Sequence, residues 1–120
     1  MRIRLILSIL VLSIAFTTKA QVINPEDAAR HIGDSLTVCG EIFTARYFES
    51  SNNKPTLLNM GAAYPDNPIT IVIFEDVRTK LNFKPEEKWV HKDLCITGKI
   101  ELYKGKPEIV VHDPSQIKEK

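Results

Sequence analysis

Aromatic and cationic side chains interleave at two places in this chain. Arg46, Tyr47, Phe48 and Lys54 fall in one stretch, and Lys99, Tyr103, Lys104 and Lys106 in another, with Tyr64 between them. Flat rings stack on nucleobases, and ammonium or guanidinium groups attract phosphates, so this mixture suits a single-stranded nucleic acid. Glu41, Glu49, Glu101 and Glu108 lie among the same residues and weaken any pull on a polyanion. The plainer alternative is the solvated rim of a structural barrel, with Tyr103 packed on its own hairpin.

Catalysis needs a nucleophile with a base, a carboxylate pair or a metal. None is legible at useful spacing. His31 ends a short helical segment, where a histidine complements the helix dipole. His91 falls in a loop. His112 and Asp113 are adjacent, and neighbours on a strand point to opposite faces. Asp113-Pro114 reads instead as a turn or a cap. Cys39 and Cys95, without a C-x-x-C pair, fall short of zinc spacing. The chain therefore reads as non-enzymatic, with no cofactor and no metal. Asn59 stays open between a ligand contact and a hydrogen bond to backbone across a loop.

The N-terminus bears on where such chemistry would happen. Arg2 and Arg4 precede an uncharged, largely apolar run from Leu5 to Phe16, and Thr18 and Ala20 are small residues at the two positions a signal peptidase reads. Residues 1–20 thus read as a signal peptide cleaved after Ala20. The apolar run is about 12 residues, short of the ~20 that span a membrane, so an integral membrane protein is not expected. The expected location is the periplasm or the exterior. With Arg2, Arg4 and Lys19 removed, 13 basic residues face 15 acidic ones, a net of −2. A strongly basic balance is absent, so any nucleic-acid binding must come from a local patch. Residues 21–120 suffice for a single domain with a modest core.

The elements that would position these residues follow from periodicity and punctuation. NPEDAARHIG predicts a short helix, with Asn24 as cap, Pro25 at its first position and Gly33 as its stop. A long strand follows from Ser35 to Tyr47, then a polar loop over 49–55. TLLNM is a short strand, and a loop with two prolines covers 61–68. ITIVIF, residues 69–74, is apolar on both phases and must be covered on both faces. Residues 75–90 read as a helix or irregular helical connection that buries Val77, Leu81 and Phe83 and is broken by Pro85. Trp89 is expected to cover one barrel end. DLCITGKIELY and KPEIVVH form a hairpin around Lys104-Gly105. The order specifies an all-β domain with one or two short helices, a five-stranded OB-fold Greek-key barrel. Its first strand pairs with the second and the fourth, and Gly40 suits the bend of that strand.

The cysteines fit this pairing. Cys39 lies on the more polar phase of the first strand and Cys95 on the more polar phase of the fourth. Sulfurs there can meet across the ladder if the strands are neighbours. Export favours a disulfide, and its 56-residue loop corresponds to roughly 4 kcal/mol in the chain-entropy model. Two reduced thiols are the alternative.

AARHIGDSLTVCGEI, LLNMGAAYPDNPITIVIF and ITGKIELYKGKPEIVVHDPSQI together resemble a family of small bacterial exported OB-fold proteins. That family is similar to the nucleic-acid-binding OB modules appended to some secreted nucleases. The most specific positions are Leu58, Asn59, Gly61, Tyr64 and Pro65, and then Gly98, Lys99, Tyr103, Gly105, Pro107 and Ile109. The resemblance implies binding of single-stranded DNA or RNA in the cell envelope or outside it. OB-folds host unrelated functions, so a protein-interaction or envelope-stress module with an envelope protein as partner is the second reading, and a small hydrolase the third. OB-folds grip single strands across their second and third strands, between the first and last interstrand loops. The ligand-binding candidates are then Arg46, Tyr47, Lys54, Tyr64, Lys99, Tyr103, Lys104 and Lys106, with the hairpin and the first loop as facing walls.

Overall fold

Apolar residues at every second position build the barrel. In the computed structural model, which describes Val11, Ser13 and residues 21–120, the alternating runs become strands. They are β1 (Val22–Ile23), β2 (Ser35–Tyr47), β3 (Thr56–Met60), β4 (Ile69–Ile73), β5 (Asp93–Tyr103), β6 (Lys106–Val111) and β7 (Ile117–Glu119). The expected signal peptide falls on residues 1–20, outside the described set apart from Val11 and Ser13. Two short helices, α1 (Glu75–Arg78) and α2 (Pro85–Lys88), lie between β4 and β5. No helix among the described residues is long and apolar enough to cross a membrane.

The strands close as β2-β3-β4-β6-β5 and back to β2. Only the β4–β6 contact of that ring is parallel. This is the expected OB-fold barrel. Leu36, Val38 and Ile42 of β2, Leu58 and Met60 of β3, and Ile69, Ile71 and Ile73 of β4 point inward and are buried. Leu94, Ile96 and Ile100 of β5 join Ile109 and Val111 of β6 in the same core. Val77 and Trp89, from the connection between β4 and β5, are buried in the same core. Val72, on the outward phase of β4, is also buried, whereas Thr70 on the same phase is half-buried, so the expected cover on both faces holds at Val72 and not along all of β4.

β2 reaches both neighbours because it is long and bends. Its first half pairs with β5, from Ser35 opposite Lys99 to Glu41 opposite Asp93. Its second half pairs with β3, with a register shift between Ile42 and Thr44. Gly40 sits at the changeover, where an added Cβ would lie 2.5 Å from Pro25 Cγ and 3.1 Å from Met60 Cγ. Cys39 faces Cys95 in this register, and the two form a disulfide with Cα atoms 4.1 Å apart. Lys104 (φ 50°) and Gly105 (φ 78°) turn the β5–β6 hairpin in the double positive-φ form that matches strand twist.

Three local expectations are corrected. Residues 25–30 form a 3₁₀ turn, and Asn24 makes no side-chain cap bond. Pro25 is buried against Gly40 and Gly61 there, so packing rather than capping holds the turn. Pro85 begins α2 rather than ending a helix, because a proline at the first helical position loses no hydrogen bond. β1 and β7 were not expected. Each is only two or three residues long, too short for a period to show.

Candidate ligand-binding groove

The strand register aligns outward side chains into rows. Thr44 of β2 faces Asn59 of β3, which faces Thr70 of β4, which faces Glu108 of β6, which faces Glu101 of β5. In the next row Arg46 faces Leu57 and Leu57 faces Val72. The first members of these rows floor an open groove of about 510 Å³. Arg46 and Phe48 stand at one side and Tyr64, from the β3–β4 loop, at the other, around Thr44, Leu57, Asn59 and Thr70.

The aromatic walls differ in how firmly they are held. Phe48 carries the Arg46 guanidinium 4.6 Å from its ring centroid, so a cation and an aromatic face act as one unit. Tyr64 is 70% exposed, a ring presented to solvent rather than to a core. Its main-chain N–H donates to Thr44 Oγ1 (3.1 Å), which fixes the loop on the sheet. Lys106 Nζ donates to the Pro65 carbonyl (3.2 Å) and lies 5.7 Å from the Tyr64 ring, bringing the hairpin against the same loop.

Charge is uneven across this face. Glu101 and Glu108 sit directly opposite one another on adjacent strands, an arrangement that repels. Partial burial, with the Glu101 charge added, pushes the Glu108 carboxyl above its usual range. A phosphate is therefore better received on the Arg46 side of the groove than beyond Thr70.

The predicted site residues divide. Arg46 and Tyr64 line the groove, and Lys106 braces its Tyr64 wall. Tyr103 is 58% exposed and faces Lys106 across the hairpin, with Lys104 Nζ 5.4 Å from its ring centroid. Lys54 lies in the β2–β3 loop at a positive φ of 40° and is not part of the groove wall. Lys99 is exposed opposite Ser35, on the stretch of β5 paired with the first half of β2. Tyr47 points the other way. Its hydroxyl donates to Glu75 Oε2 (2.9 Å), and the Arg78 guanidinium lies over its ring. Desolvation, reinforced by the Glu75 bond, raises the phenol above its ordinary value. The expected pair of facing walls is thus replaced by one in which the hairpin meets the Tyr64 loop.

Thr44, Leu57 and Thr70 were not singled out from sequence. Strand alternation places them on the outward phase with Arg46 and Asn59, which is the signal that could have found them. Asn59 is 6% exposed. It donates to Thr44 Oγ1 (2.9 Å) and accepts from Thr70 Oγ1 (3.5 Å), so it serves the floor and not a loop backbone. No group of three or more metal-ligating side chains converges among the described residues. His112 and Asp113 do not pair with each other. Their main-chain N–H groups both reach Gln116 Oε1, and Asp113 caps the following turn through Ser115 N.

No protein-family model and no curated protein matches the chain. A solved structure does. It is a chain assigned as an aspartyl-tRNA synthetase from Leishmania major Friedlin, matched with a TM-score of 0.51 at 9% identity over 91% of this chain. The likeness is one of fold, and this chain spans 22% of the length of that one.

Proposed function

We propose that the protein is a non-catalytic, exported OB-fold module that binds single-stranded nucleic acid in the groove over β3 and β4. The observation that carries this reading is the groove's composition. Two aromatic faces, Phe48 and Tyr64, and one guanidinium, Arg46, surround a hydrogen-bonding floor at the place where OB-folds take single strands. Stacking is indifferent to sequence because every base has a π-face, and one or two rings suffice for a few bases. The fold shared with an assigned aspartyl-tRNA synthetase is in keeping with a nucleic-acid ligand. Export is supported by the charged and apolar N-terminal sequence and by the Cys39–Cys95 disulfide, a bond that persists in oxidising compartments.

A second reading, a protein-interaction module on the same surface, draws on the Glu101–Glu108 pair, which a polyanion must avoid. Salt dependence separates the two. Affinity for a single strand falls steeply as salt rises, with a log–log slope of about −0.7 per phosphate neutralised. A contact made mainly by apolar groups has no such slope. Titration of a fluorescent oligonucleotide at several salt concentrations is the test, and absence of binding at about 50 mM salt removes the nucleic-acid reading.

A further inference from the structure

Hydrogen bonds cross the groove floor from Asn67 to Thr44. Their fixed end is the Ile69 carbonyl, which can only accept. Asn67 Nδ2 donates to it (2.9 Å) and also to Thr70 Oγ1 (2.8 Å). Turning that amide over would set its oxygen against the carbonyl, so the nitrogen holds this place even though Asn67 Oδ1 is left buried and without a partner among the described residues. Thr70 Oγ1 lies 3.5 Å from Asn59 Oδ1, a long contact. On its other side Asn59 Nδ2 donates to Thr44 Oγ1 (2.9 Å). The Tyr64 main-chain N–H donates to the same oxygen (3.1 Å).

A hydroxyl has two lone pairs and one proton. Both lone pairs of Thr44 Oγ1 are taken, by Asn59 and by Tyr64. Its proton is unclaimed by any group among the described residues, and Thr44 lines the groove. The next outward residue of β2 is Arg46, whose guanidinium also only donates. The middle of the groove therefore offers donors, and it does so beside the exposed ring of Tyr64.

We propose that Thr44 is a specificity-determining residue: its hydroxyl donates to O4 of uracil or thymine, or O6 of guanine, in a base stacked on Tyr64, so that these bases are preferred over cytosine or adenine. The preference arises because the amino group of cytosine or adenine stands where the other bases carry the oxygen, and two donors facing one another leave both unpaired. The inference rests on the nucleic-acid reading above and adds a base preference to it.

Oligo(dU) and oligo(dC) of equal length test it, since they carry the same number of phosphates on the same size of ring. The wild-type protein binds oligo(dU) about 2- to 10-fold more tightly, the span of one net hydrogen bond. Thr44→Val brings oligo(dU) down to the oligo(dC) affinity without changing the salt slope, and Thr44→Ser keeps the preference. Thermal melts establish that each variant is folded. Equal affinity of the wild-type protein for the two oligomers overturns this inference and leaves nucleic-acid binding standing. An undiminished preference in folded Thr44→Val overturns it as well. Binding to neither oligomer overturns both.

Discussion

The guanidinium carbon of Arg78 lies 3.7 Å from the centroid of the Tyr47 ring, and this stack removes Tyr47 from the ligand face. Its hydroxyl is committed to Glu75. Tyr47→Phe keeps the stack and loses that one bond, so it lowers stability slightly. Oligonucleotide affinity is unchanged in the same variant. Chemical denaturation and a binding titration on one preparation check both statements.

Arg78 also forks onto Glu86, at 2.5 and 2.9 Å, and donates to Thr56. Both partners of the ion pair are largely shielded, with side chains 11% and 17% exposed. The hydrogen bonds from Arg78 hold the Glu86 carboxyl below its ordinary range. A carboxyl lowered in the folded state binds fewer protons there than in the unfolded chain. Its contribution is complete above the ordinary carboxylate range and fades as pH falls through and below it. Glu86→Gln costs about 1.5–3 kcal/mol at neutral pH and flattens the acid limb of the stability profile.

Glu108 has the opposite sign. Its carboxyl is raised by partial burial and by Glu101, so the folded state disfavours the charged form. Glu108→Gln is then more stable than the wild-type protein at neutral pH. The difference closes as pH drops below the carboxylate range, where the wild-type side chain is already neutral. Melting temperatures across pH 3 to 8 are the readout, and a variant less stable at neutral pH would contradict the repulsion.

Two constraints shape the barrel itself. A Cβ at Gly40 meets the Pro25 ring at 2.5 Å, and Gly40→Ala costs about 1–3 kcal/mol as an overpacked site. Intact mass before and after reduction reports the Cys39–Cys95 bond, and the double alanine variant loses roughly 4 kcal/mol in the chain-entropy model.

Much of this architecture was legible in the sequence because period-2 alternation is a strong signal over long strands. Ser35 to Tyr47, Thr56 to Met60 and the β5–β6 hairpin all carry it. The phases of Cys39 and Cys95 were compatible with the pairing of the strands that carry them, which the register bears out. The site was legible only in part. Composition drew attention to the clusters of cations and rings around Arg46 and Tyr103, but it does not say which way a residue at the end of a strand turns. Tyr47 and Arg46 are adjacent, and the chain carries one to Glu75 and Arg78 and the other to the groove. Thr44, Asn59 and Thr70 are ordinary strand residues alone. They become a floor only when the register places them in one row.

The most direct measurement is the affinity of the wild-type protein and of Tyr64→Ala for a short single-stranded oligonucleotide between about 50 and 200 mM salt. The wild-type protein should bind, with affinity falling as salt rises. Tyr64→Ala should remain folded and bind about 5- to 150-fold more weakly at every salt concentration, the loss expected of one stacked base. No binding by the wild-type protein at the lowest salt, or equal binding by folded Tyr64→Ala, would contradict the groove over β3 and β4 as a nucleic-acid site.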